Sequence, residues 1–241
     1  MIKCVVDSRY EHHRDFICSL PERISRGEGD VVYEGRNKVV RFTNDGLVMI
    51  VKRFKRANPV QRFAYTVYRP SKAARAYSYV EIYRSHGIDT PDRVAFIEDS
   101  PKGWFRTGYF VSCEATGEST MTLLRDREVY DPLLAEAVAR QVYAMHSQGI
   151  LHGDLNLSNF LCRQTADGYR FTMIDLNRSR FTDGMPSYKR CMTDLVRITH
   201  RRDLYRDLIT RYALLRGWDV RQTVDDAIAR LDKFEARRLH L

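Results

Sequence analysis

One segment constrains the fold of this chain more than any other: residues 152–159 read HGDLNLSN and run directly into a predicted β-hairpin. The hairpin spans residues 160–174, with an Ala-Asp-Gly turn near its centre. Because a hairpin returns the chain beside its start, Asp175 should lie next to Asn159. The sequence therefore predicts that the side chains of Asp154, Asn159 and Asp175 converge in one place.

These side chains are of the types that phosphoryl transfer requires. The reaction needs one carboxylate to accept the proton of the attacking hydroxyl, and oxygen ligands that hold Mg²⁺ on the phosphate. A lysine should also reach the phosphates, and Lys52 has the expected context near the end of a predicted strand. A lone Asp154 or Asp175 would more often be an N-cap or turn residue. The hypothesis therefore depends on the order of all the elements together.

The elements around Lys52 predict an antiparallel sheet with one helix. Short stretches rich in β-branched and aromatic residues, separated by turns, are typical of strands. Three such stretches precede a segment with helical spacing, and two follow it. Residues 1–30 show weak periodicity, and we expect them to form an adaptor segment ahead of the first strand. The expected strands are 31–33, 38–42, 47–54, 92–97 and 108–113, and the expected helix is 71–86.

The second half of the chain is predicted to be mainly helical. The polar stretch 114–120 is the candidate boundary between an N-terminal lobe, residues 1–113, and a C-terminal lobe, residues 114–241. The fold class is therefore α+β, a bilobal arrangement of an antiparallel sheet lobe and a mainly helical lobe. The helices are expected at 131–149, 193–218 and 224–237.

Composition excludes several classes of protein. The chain has 241 residues, of which 44% are hydrophobic and 29% charged, as is typical of a globular protein. No apolar run approaches the ~18 residues of a spanning helix, and no signal peptide is visible. Five scattered cysteines predict neither a disulfide framework nor a zinc site. We expect a cytoplasmic protein, with peripheral attachment to the cytoplasmic membrane face as an option; the oligomeric state stays open.

The charge distribution favours an anionic partner. The formal net charge is +9, and no acidic residue occurs between Gly46 and Val80. This basic segment suits a phosphorylated or membrane-embedded glycolipid, but a generic solvated surface explains it equally well. Interleaved aromatic residues keep nucleic acid open as a disfavoured partner. The basic residues are Lys52, Arg53, Lys55, Arg56, Arg62, Arg69, Lys72 and Arg75.

The order of these elements resembles a protein-kinase-like fold over about residues 31–200. HGDLNLSN stands where kinases have HRDxxxxN, and Ile174-Asp175-Leu176 stands where they have DFG. More narrowly, the sequence resembles the lipopolysaccharide kinases of the Kdo/WaaP family, which phosphorylate inner-core sugars with ATP. The matching segments are VKRF at 51–54, GIDTP at 87–91, HGDL at 152–155 and IDLNR at 174–178.

This resemblance implies roles for the converging residues. By it, Asp154 is the catalytic base, Asn159 and Asp175 bind Mg²⁺, and Lys52 pairs with the ATP phosphates. The implied cofactors are ATP and Mg²⁺, and the implied acceptor is a glycolipid or sugar at the inner membrane surface.

The resemblance also implies that the hairpin formed by residues 31–42 covers the nucleotide, and that the hinge between the two lobes borders the adenine. Gly35 lies at the turn of that hairpin, where the amides of Arg36 and Asn37 would contact phosphate. Glu114 lies near the proposed hinge and would flank the adenine, with backbone groups making the contacts.

The chain departs from the protein-kinase pattern at four places. The helix after the lysine strand offers no glutamate at the expected position, and Glu81 lies one helical turn late. Gly153 replaces the arginine of HRD, and Asn177 replaces the glycine of DFG. Asp175 and Asp194 are so close in sequence that little chain is left for a peptide-docking loop. The last feature favours an acceptor that is not a protein.

Two more residue types complete the expectations. His152 is expected to be structural, packed against the hairpin and hydrogen-bonded to backbone. Arg178 and Arg180, just after Asp175, are placed to bind an anionic sugar, although a surface ion pair explains them as simply.

Other functions fit the same fold. Small kinases and ATPases of the RIO type share HGDxxxxN followed by Ile-Asp, and they act on proteins or in RNA-associated complexes. A nucleotide-binding pseudokinase is a further alternative, because the glutamate is missing. Aminoglycoside-type phosphotransferases share the pattern as well, but the short C-terminal half fits them less well.

Overall fold

The structure, a computed structural model, describes residues 1–239. The chain divides into two units, Met1–Ala115 and a second unit that begins at Thr116. Each unit has its own buried residues and is built differently: the first around one large sheet, the second mainly from helices.

A six-stranded antiparallel sheet forms the first unit, with strand order β1-β5-β6-β4-β3-β2. Val40, Met49 and Val51 on the neighbouring strands β3 and β4 are fully buried in its core. The antiparallel sheet predicted from alternating apolar stretches is confirmed. Its strands are β1 Ile2–Val6, β2 Asp30–Glu34, β3 Lys38–Asn44, β4 Leu47–Arg53, β5 Arg93–Asp99 and β6 Thr107–Cys113.

The expectation that residues 1–30 form an adaptor segment was wrong. Strand β1 pairs with β5 along the sheet edge, and helix α1, Arg14–Ser25, buries Ile17, Leu20 and Ile24 in the core of the first unit. These three residues have the i, i+3, i+7 spacing of one helical face. The pattern is weak in sequence because Pro21 lies inside the helix among charged residues, and proline usually signals a helix end.

Two helices follow β4. Helix α3, Lys72–Ser85, matches the predicted helix; Ser71 caps it by accepting a hydrogen bond from the amide of Ala74, and its buried face packs on β5 and β6. Helix α2, Pro59–Val67, was not predicted. It begins with a capping box in which Asn58 and Gln61 exchange hydrogen bonds, and Pro59 stands at its first position.

The second unit contains four helices and five short strands within the described residues. Strands β9 and β10 form the predicted hairpin, whereas β8 and β11 pair in a two-stranded ladder. The helices are α4 Pro132–Ser147, α5 Tyr188–Leu195, α6 Arg202–Arg216 and α7 Val220–Leu239, and the strands are β7 Glu118–Ser119, β8 Ile150–Leu151, β9 Phe160–Thr165, β10 Gly168–Met173 and β11 Arg180–Phe181.

The single helix predicted over 193–218 is two helices. The chain leaves helical geometry between Leu195 and Arg202, where the carbonyl of Ile198 accepts a hydrogen bond from the amide of Leu157 at 3.1 Å. This tertiary bond takes a carbonyl group that a continuous helix would have used internally. Sequence periodicity alone could not show it, because the partner lies in a distant loop.

Candidate active site

The HGDLNLSN loop lies between strand β8 and the β9–β10 hairpin, so both ends of the loop are fixed by strand pairing. Leu151 in β8 pairs with Arg180 in β11. At the other end, Phe160 in β9 pairs with Met173 in β10. The ladders thus hold the loop and the segment after β10 in one place.

Gly153 makes a turn that no other residue type fits. Its φ is +74°, a region that side chains disfavour, and a Cβ built on it would lie 2.3 Å from the backbone oxygen of Arg178. The arginine found at this position in HRD sequences would therefore overlap the backbone at residue 178. The departure from HRD reflects this local packing.

Asp194 on α5 clamps the same turn. Its Oδ2 accepts a 2.8 Å hydrogen bond from the amide of His152, and its Oδ1 accepts one of 2.7 Å from the amide of Gly153. Asp194 is 4% exposed, and Nε2 of His146 on α4 lies 3.3 Å from its Oδ2. The carboxylate therefore fixes the backbone immediately before Asp154.

The buried pair of Asp194 and His146 favours the charged forms of both. Burial alone would raise the pKa of Asp194, but the hydrogen bonds from His146 and the Gly153 amide outweigh burial and lower it. Burial would lower the pKa of His146, but the bond to Asp194 raises it. Nδ1 of His146 also lies 2.7 Å from the hydroxyl of Tyr212.

Sequence reasoning missed this clamp. Asp194 appeared only as a residue near the start of a helix, and its function depends on amides about forty positions earlier in the chain. The available signal was a carboxylate on an otherwise apolar face, next to Cys191 and Leu195, both of which are buried. A charged residue in such a position needs a partner.

Asp154 lies at the surface of this loop with two arginines around its carboxylate. Its side chain is 29% exposed; Nη1 of Arg178 lies 3.2 Å from Oδ2, and Nη1 of Arg197 lies 3.7 Å from Oδ1. The guanidinium carbon of Arg197 lies 5.0 Å from the centroid of the Phe234 ring, which fixes that side chain. Arg197 was not singled out from the sequence, whereas Arg178 was.

Asn159 joins Asp154 to the segment after β10. Its Nδ2 donates to the backbone oxygen of Asp154 at 2.8 Å, and its own backbone oxygen accepts from the amide of Ile174 at 3.0 Å. The structure thus brings Asp175 beside Asn159, as the hairpin geometry indicated. With Nδ2 engaged in this way, Oδ1 is the atom that the Asn159 side chain can offer to a cation.

Asp175 has an unusual backbone conformation that its neighbours hold. Its φ is 64° and its ψ 46°, the left-handed region, which Asp tolerates better than most residues. Nδ2 of the buried Asn177 donates to its Oδ1. Nε2 of His152 lies 3.0 Å from the preceding carbonyl, that of Ile174, which agrees with the structural role expected for His152. Asn177 therefore orients the Asp175 carboxylate.

The donor set of Asn159 and Asp175 fits Mg²⁺. The ion prefers oxygen ligands and is usually held by one or two protein groups, with phosphate and water completing its shell. Within residues 1–239 no group of three or more His, Cys, Asp or Glu could hold a metal ion by itself. A Mg²⁺ held here would complete its shell with phosphate oxygens and water.

Lys52 lies in the first unit, on the interior strand β4. It pairs with Val39 of β3 and with Phe110 of β6, and its Nζ lies 5.6 Å from the centroid of the Phe54 ring. Glu81, on α3, is 68% exposed and forms an ion pair with Arg93 at 3.3 Å. Glu81, the acidic residue nearest to the position where kinases have the glutamate that pairs with the lysine, thus pairs with Arg93.

Gly35, Arg36 and Asn37 form the turn between β2 and β3. The amide of Gly35 donates to the backbone oxygen of Asn37 at 3.1 Å. Oδ1 of Asn37 accepts from the amide of Lys55 at 3.0 Å, so this side chain ties the turn to the end of β4.

Glu114 follows β6 at the end of the first unit. Its carboxylate pairs with Nε of Arg41 at 2.8 Å, and its amide donates to the backbone oxygen of Val48 at 3.2 Å. The side chain therefore braces strand β3.

The first unit thus carries Lys52, the 35–37 turn and Glu114, and the second unit carries Asp154, Asn159 and Asp175.

Among the described residues, no helix is long and apolar enough to span a lipid bilayer.

The sequence matches the family model described as "Lipopolysaccharide kinase (Kdo/WaaP) family" over residues 55–211. That range includes the HGDLNLSN loop, the hairpin and Asp175. No curated protein matches the chain.

Solved kinase structures share the fold. A structure titled "WaaP in complex with acyl carrier protein" is 21% identical, covers 99% of this chain and 100% of its own, and has a TM-score of 0.63. The complex of the Rio2 kinase with ADP, Mg²⁺ and phosphoaspartate from Chaetomium thermophilum is 14% identical, with 90% and 76% coverage and a TM-score of 0.51. At these identities the likeness shows the fold, and the predicted protein-kinase-like fold is confirmed.

Proposed function

Because the chain belongs to the lipopolysaccharide kinase (Kdo/WaaP) family, we propose that it transfers the γ-phosphoryl group of ATP to a sugar hydroxyl of a lipopolysaccharide core or related glycolipid. The observation that carries this proposal is the clamped loop that holds Asp154 beside Asn159 and Asp175. A cytoplasmic location, where ATP is available, is part of the proposal.

Asp154 would act as the catalytic base. Its carboxylate is partly exposed, which leaves an acceptor hydroxyl room to approach, and guanidinium nitrogens of Arg178 and Arg197 lie 3.2 and 3.7 Å from its two oxygens. Asp154 would accept the hydroxyl proton as the sugar oxygen bonds to the γ-phosphorus and the bond from that phosphorus to ADP breaks. The clamp from Asp194 keeps the base in position without reorganisation of the loop.

Asn159 and Asp175 would hold Mg²⁺, which neutralises charge on the phosphate oxygens during transfer. Oδ1 of Asn159 and the carboxylate of Asp175, oriented by Asn177, are the proposed ligands. Lys52 would bind the phosphates of ATP. The amides of Arg36 and Asn37 at the Gly35 turn would cover the phosphates, and the backbone at Glu114 would border the adenine.

The two arginines at Asp154 favour an acidic acceptor. Arg178 and Arg197 are 45% and 37% exposed, so each guanidinium keeps donors available beyond its contact with Asp154. A carboxylate or phosphate near the reacting hydroxyl of the acceptor would bind there with paired hydrogen bonds. Acidic sugars with such groups are the acceptors we propose.

A protein partner is a second part of the proposal. The solved WaaP structure contains acyl carrier protein. By analogy, we propose a carrier protein as a candidate partner of this chain.

Transfer of labelled phosphate from Mg-ATP to Kdo-lipid A tests the function. Asp154→Asn should lower the transfer rate by about 10²- to 10⁴-fold, the usual contribution of a general base, while ATP binding persists. Asp167→Asn, at the exposed turn of the β9–β10 hairpin, is the matched control and should transfer at the wild-type rate. Undiminished transfer by Asp154→Asn would refute the mechanism. ATP binding by wild type without transfer to any acceptor would instead indicate the pseudokinase.

A further inference from the structure

Helix α2 exposes an apolar face. None of its nine residues is buried, and three apolar side chains at i, i+3 and i+7 share one face: Val60 is 79% exposed, Phe63 53% and Val67 62%. Tyr68, directly after the helix, is 72% exposed and lies edge-on to the Phe63 ring. This set of four residues is called the α2 face below.

The opposite side of α2 is fixed to the first unit. Nε of Arg62 donates to the backbone oxygen of Phe105 at 3.1 Å, and the amide of Phe105 donates to Oγ1 of Thr66 at 3.1 Å. The ring of Tyr65 packs edge-on against that of Phe105, with centroids 5.2 Å apart. Because these residues anchor one side of the helix, the α2 face points away from the unit.

Exposed cations flank helix α2 in the sequence. No acidic residue occurs between Gly46 and Val80, and Lys55, Arg56 and Arg69 are exposed on either side of the helix. An amphipathic helix with apolar residues outward and cations beside them is suited to the boundary between lipid headgroups and acyl chains. Each cation near an anionic leaflet adds about 1 kcal/mol of attraction.

We propose that the α2 face and its flanking cations dock on an anionic lipid bilayer. Single exposed apolar residues are ordinary, but three on one face of an anchored helix, inside a segment free of acids, are complementary to a surface that is both anionic and apolar. An anionic bilayer offers charged headgroups and apolar acyl chains over its whole surface. The exposed side chains of the α2 face can enter it to a shallow depth. The purpose of docking rests on the proposed function: the acceptor is a glycolipid of that membrane.

Flotation of the full chain with lipid vesicles, in the absence of nucleotide, tests the docking. The vesicles are phosphatidylcholine alone, or phosphatidylcholine mixed with phosphatidylglycerol. We expect wild type to bind only the mixed vesicles, and the triple variant Val60→Ser, Phe63→Ser, Val67→Ser to bind them on the order of tenfold more weakly. None of these residues is buried, so the variant should fold normally, which its melting temperature checks.

A matched triple variant controls for lost apolar surface elsewhere. Val129, Leu133 and Leu214 in the second unit are 85%, 72% and 65% exposed, similar to the residues of the α2 face. The variant Val129→Ser, Leu133→Ser, Leu214→Ser should bind the vesicles as wild type does. A third variant, Arg56→Gln with Arg69→Gln, should also weaken binding on the order of tenfold and reduce its dependence on salt.

The outcomes separate this inference from the proposed function. Equal binding by wild type and the α2-face variant, or no binding by wild type, would overturn the docking surface. Selective binding of the α2 face to an acidic carrier protein, with no binding to either kind of vesicle, would also overturn it and indicate a protein partner. Transfer to a soluble, deacylated core oligosaccharide needs no membrane, so the α2-face variant should retain it. Absence of transfer by wild type to both this oligosaccharide and Kdo-lipid A would refute the proposed function and leave the docking surface untouched.

Discussion

At the scale of single residues, the turn at Gly153 gives a sharp prediction. A Cβ there would meet the backbone oxygen of Arg178 at 2.3 Å, so Gly153→Ala must shift the chain just before Asp154. We expect the variant to lose transfer activity by at least tenfold, since about 1 Å of misplacement near a reacting group can cost as much as 10²-fold. Its melting temperature should fall as well, because overlap adds to backbone strain.

Gly184→Ala is the matched control for Gly153→Ala. Gly184 has a φ of +78°, close to that of Gly153, but a Cβ on it would meet no atom within 4 Å. The control therefore carries only the strain of a left-handed residue, about 1–2 kcal/mol. Equal losses of activity in both variants would show that strain, and not the overlap with residue 178, limits the turn.

Arg197 gives a prediction about the acceptor. Removing its charge in Arg197→Gln should raise the KM for an acidic acceptor about tenfold or more, because a charge-assisted hydrogen bond contributes about 1.5–3 kcal/mol. Slow hydrolysis of ATP by water, which needs no acceptor, should be unchanged. Arg206→Gln, on the exposed side of α6, is the control and should leave both rates unchanged. A lower hydrolysis rate in Arg197→Gln would indicate that Arg197 positions Asp154 instead.

The residues found from sequence are those whose partners are close in sequence. Asp154 and Asn159 lie in one loop, and a hairpin links Asn159 to Asp175, so spacing and turn chemistry were sufficient. Asp194 and His146 were not found, because their importance depends on packing between α4, α5 and the loop. Such long-range contacts leave only a weak local pattern, here a carboxylate among buried apolar residues.

At the scale of elements, Asp7 joins β1 to the rest of the first unit and should make its stability depend on pH. Asp7 directly follows β1; Nε of Arg9 lies 2.9 Å from its Oδ1, and Nε of Arg93 on β5 lies 3.0 Å from its Oδ2. The hydrogen bond from Arg9, with help from Arg93 and against the effect of burial, lowers the pKa of Asp7 from 3.8 to about 2.

A lowered carboxyl pKa stabilises the fold above the unfolded pKa, and this contribution is lost as pH falls through the folded value. Asp7 is 9% exposed at its side chain, so the contribution should reach about 2 kcal/mol near neutral pH. Asp7→Asn should therefore have a lower free energy of unfolding than wild type at neutral pH. The difference in free energy of unfolding between wild type and Asp7→Asn should decrease as pH falls from about 4 towards 2. Urea unfolding at a series of pH values measures this difference.

Asp203→Asn is the control for this pH dependence. The pKa of Asp203 is also lowered to about 2, chiefly by a hydrogen bond from Arg201, but its side chain is 58% exposed. Solvent screens exposed pairs, so its substitution should change stability by less than about 1 kcal/mol. Equal effects of both substitutions would mean that the link between β1 and β5 contributes nothing beyond a surface ion pair.

Local signals decided which elements could be predicted. Helix α3 was found because its apolar residues have helical spacing. Helix α1 was missed because of its internal Pro21, and the break between α5 and α6 was missed because Ile198 bonds to a remote loop. Tertiary contacts override local propensity at such positions.

At the scale of the whole molecule, the order of elements identified the fold more securely than any single motif. The same order of elements occurs in the sequence-based prediction and in the structure: the strand that carries Lys52, a helix, two strands, a helix, a polar loop and a hairpin. At 21% identity to WaaP, few individual positions are shared, but the elements align over 99% of this chain. The fold is thus shared although most residues differ, and sequence periodicity reveals part of it.

We infer the class of acceptor from the short connection after Asp175. Strand β11 pairs with β8, and the amide of Thr182 donates to the backbone oxygen of Gly149 at 2.9 Å, so the chain is fixed as far as residue 182. Only residues 183–187 then precede α5, which begins at Tyr188. A segment of this length has little room to bind an extended peptide next to Asp154.

We therefore expect phosphate transfer to glycolipid but not to protein. With labelled Mg-ATP, wild type should label Kdo-lipid A and should not label a generic basic protein, RNA-associated protein fractions or itself. Asp154→Asn in parallel distinguishes enzymatic transfer from contamination. Label on protein that disappears in Asp154→Asn, together with RNA binding that weakens steeply with salt, would favour a RIO-type activity. The short connection would then have to open to admit a peptide, which a fixed β11 opposes.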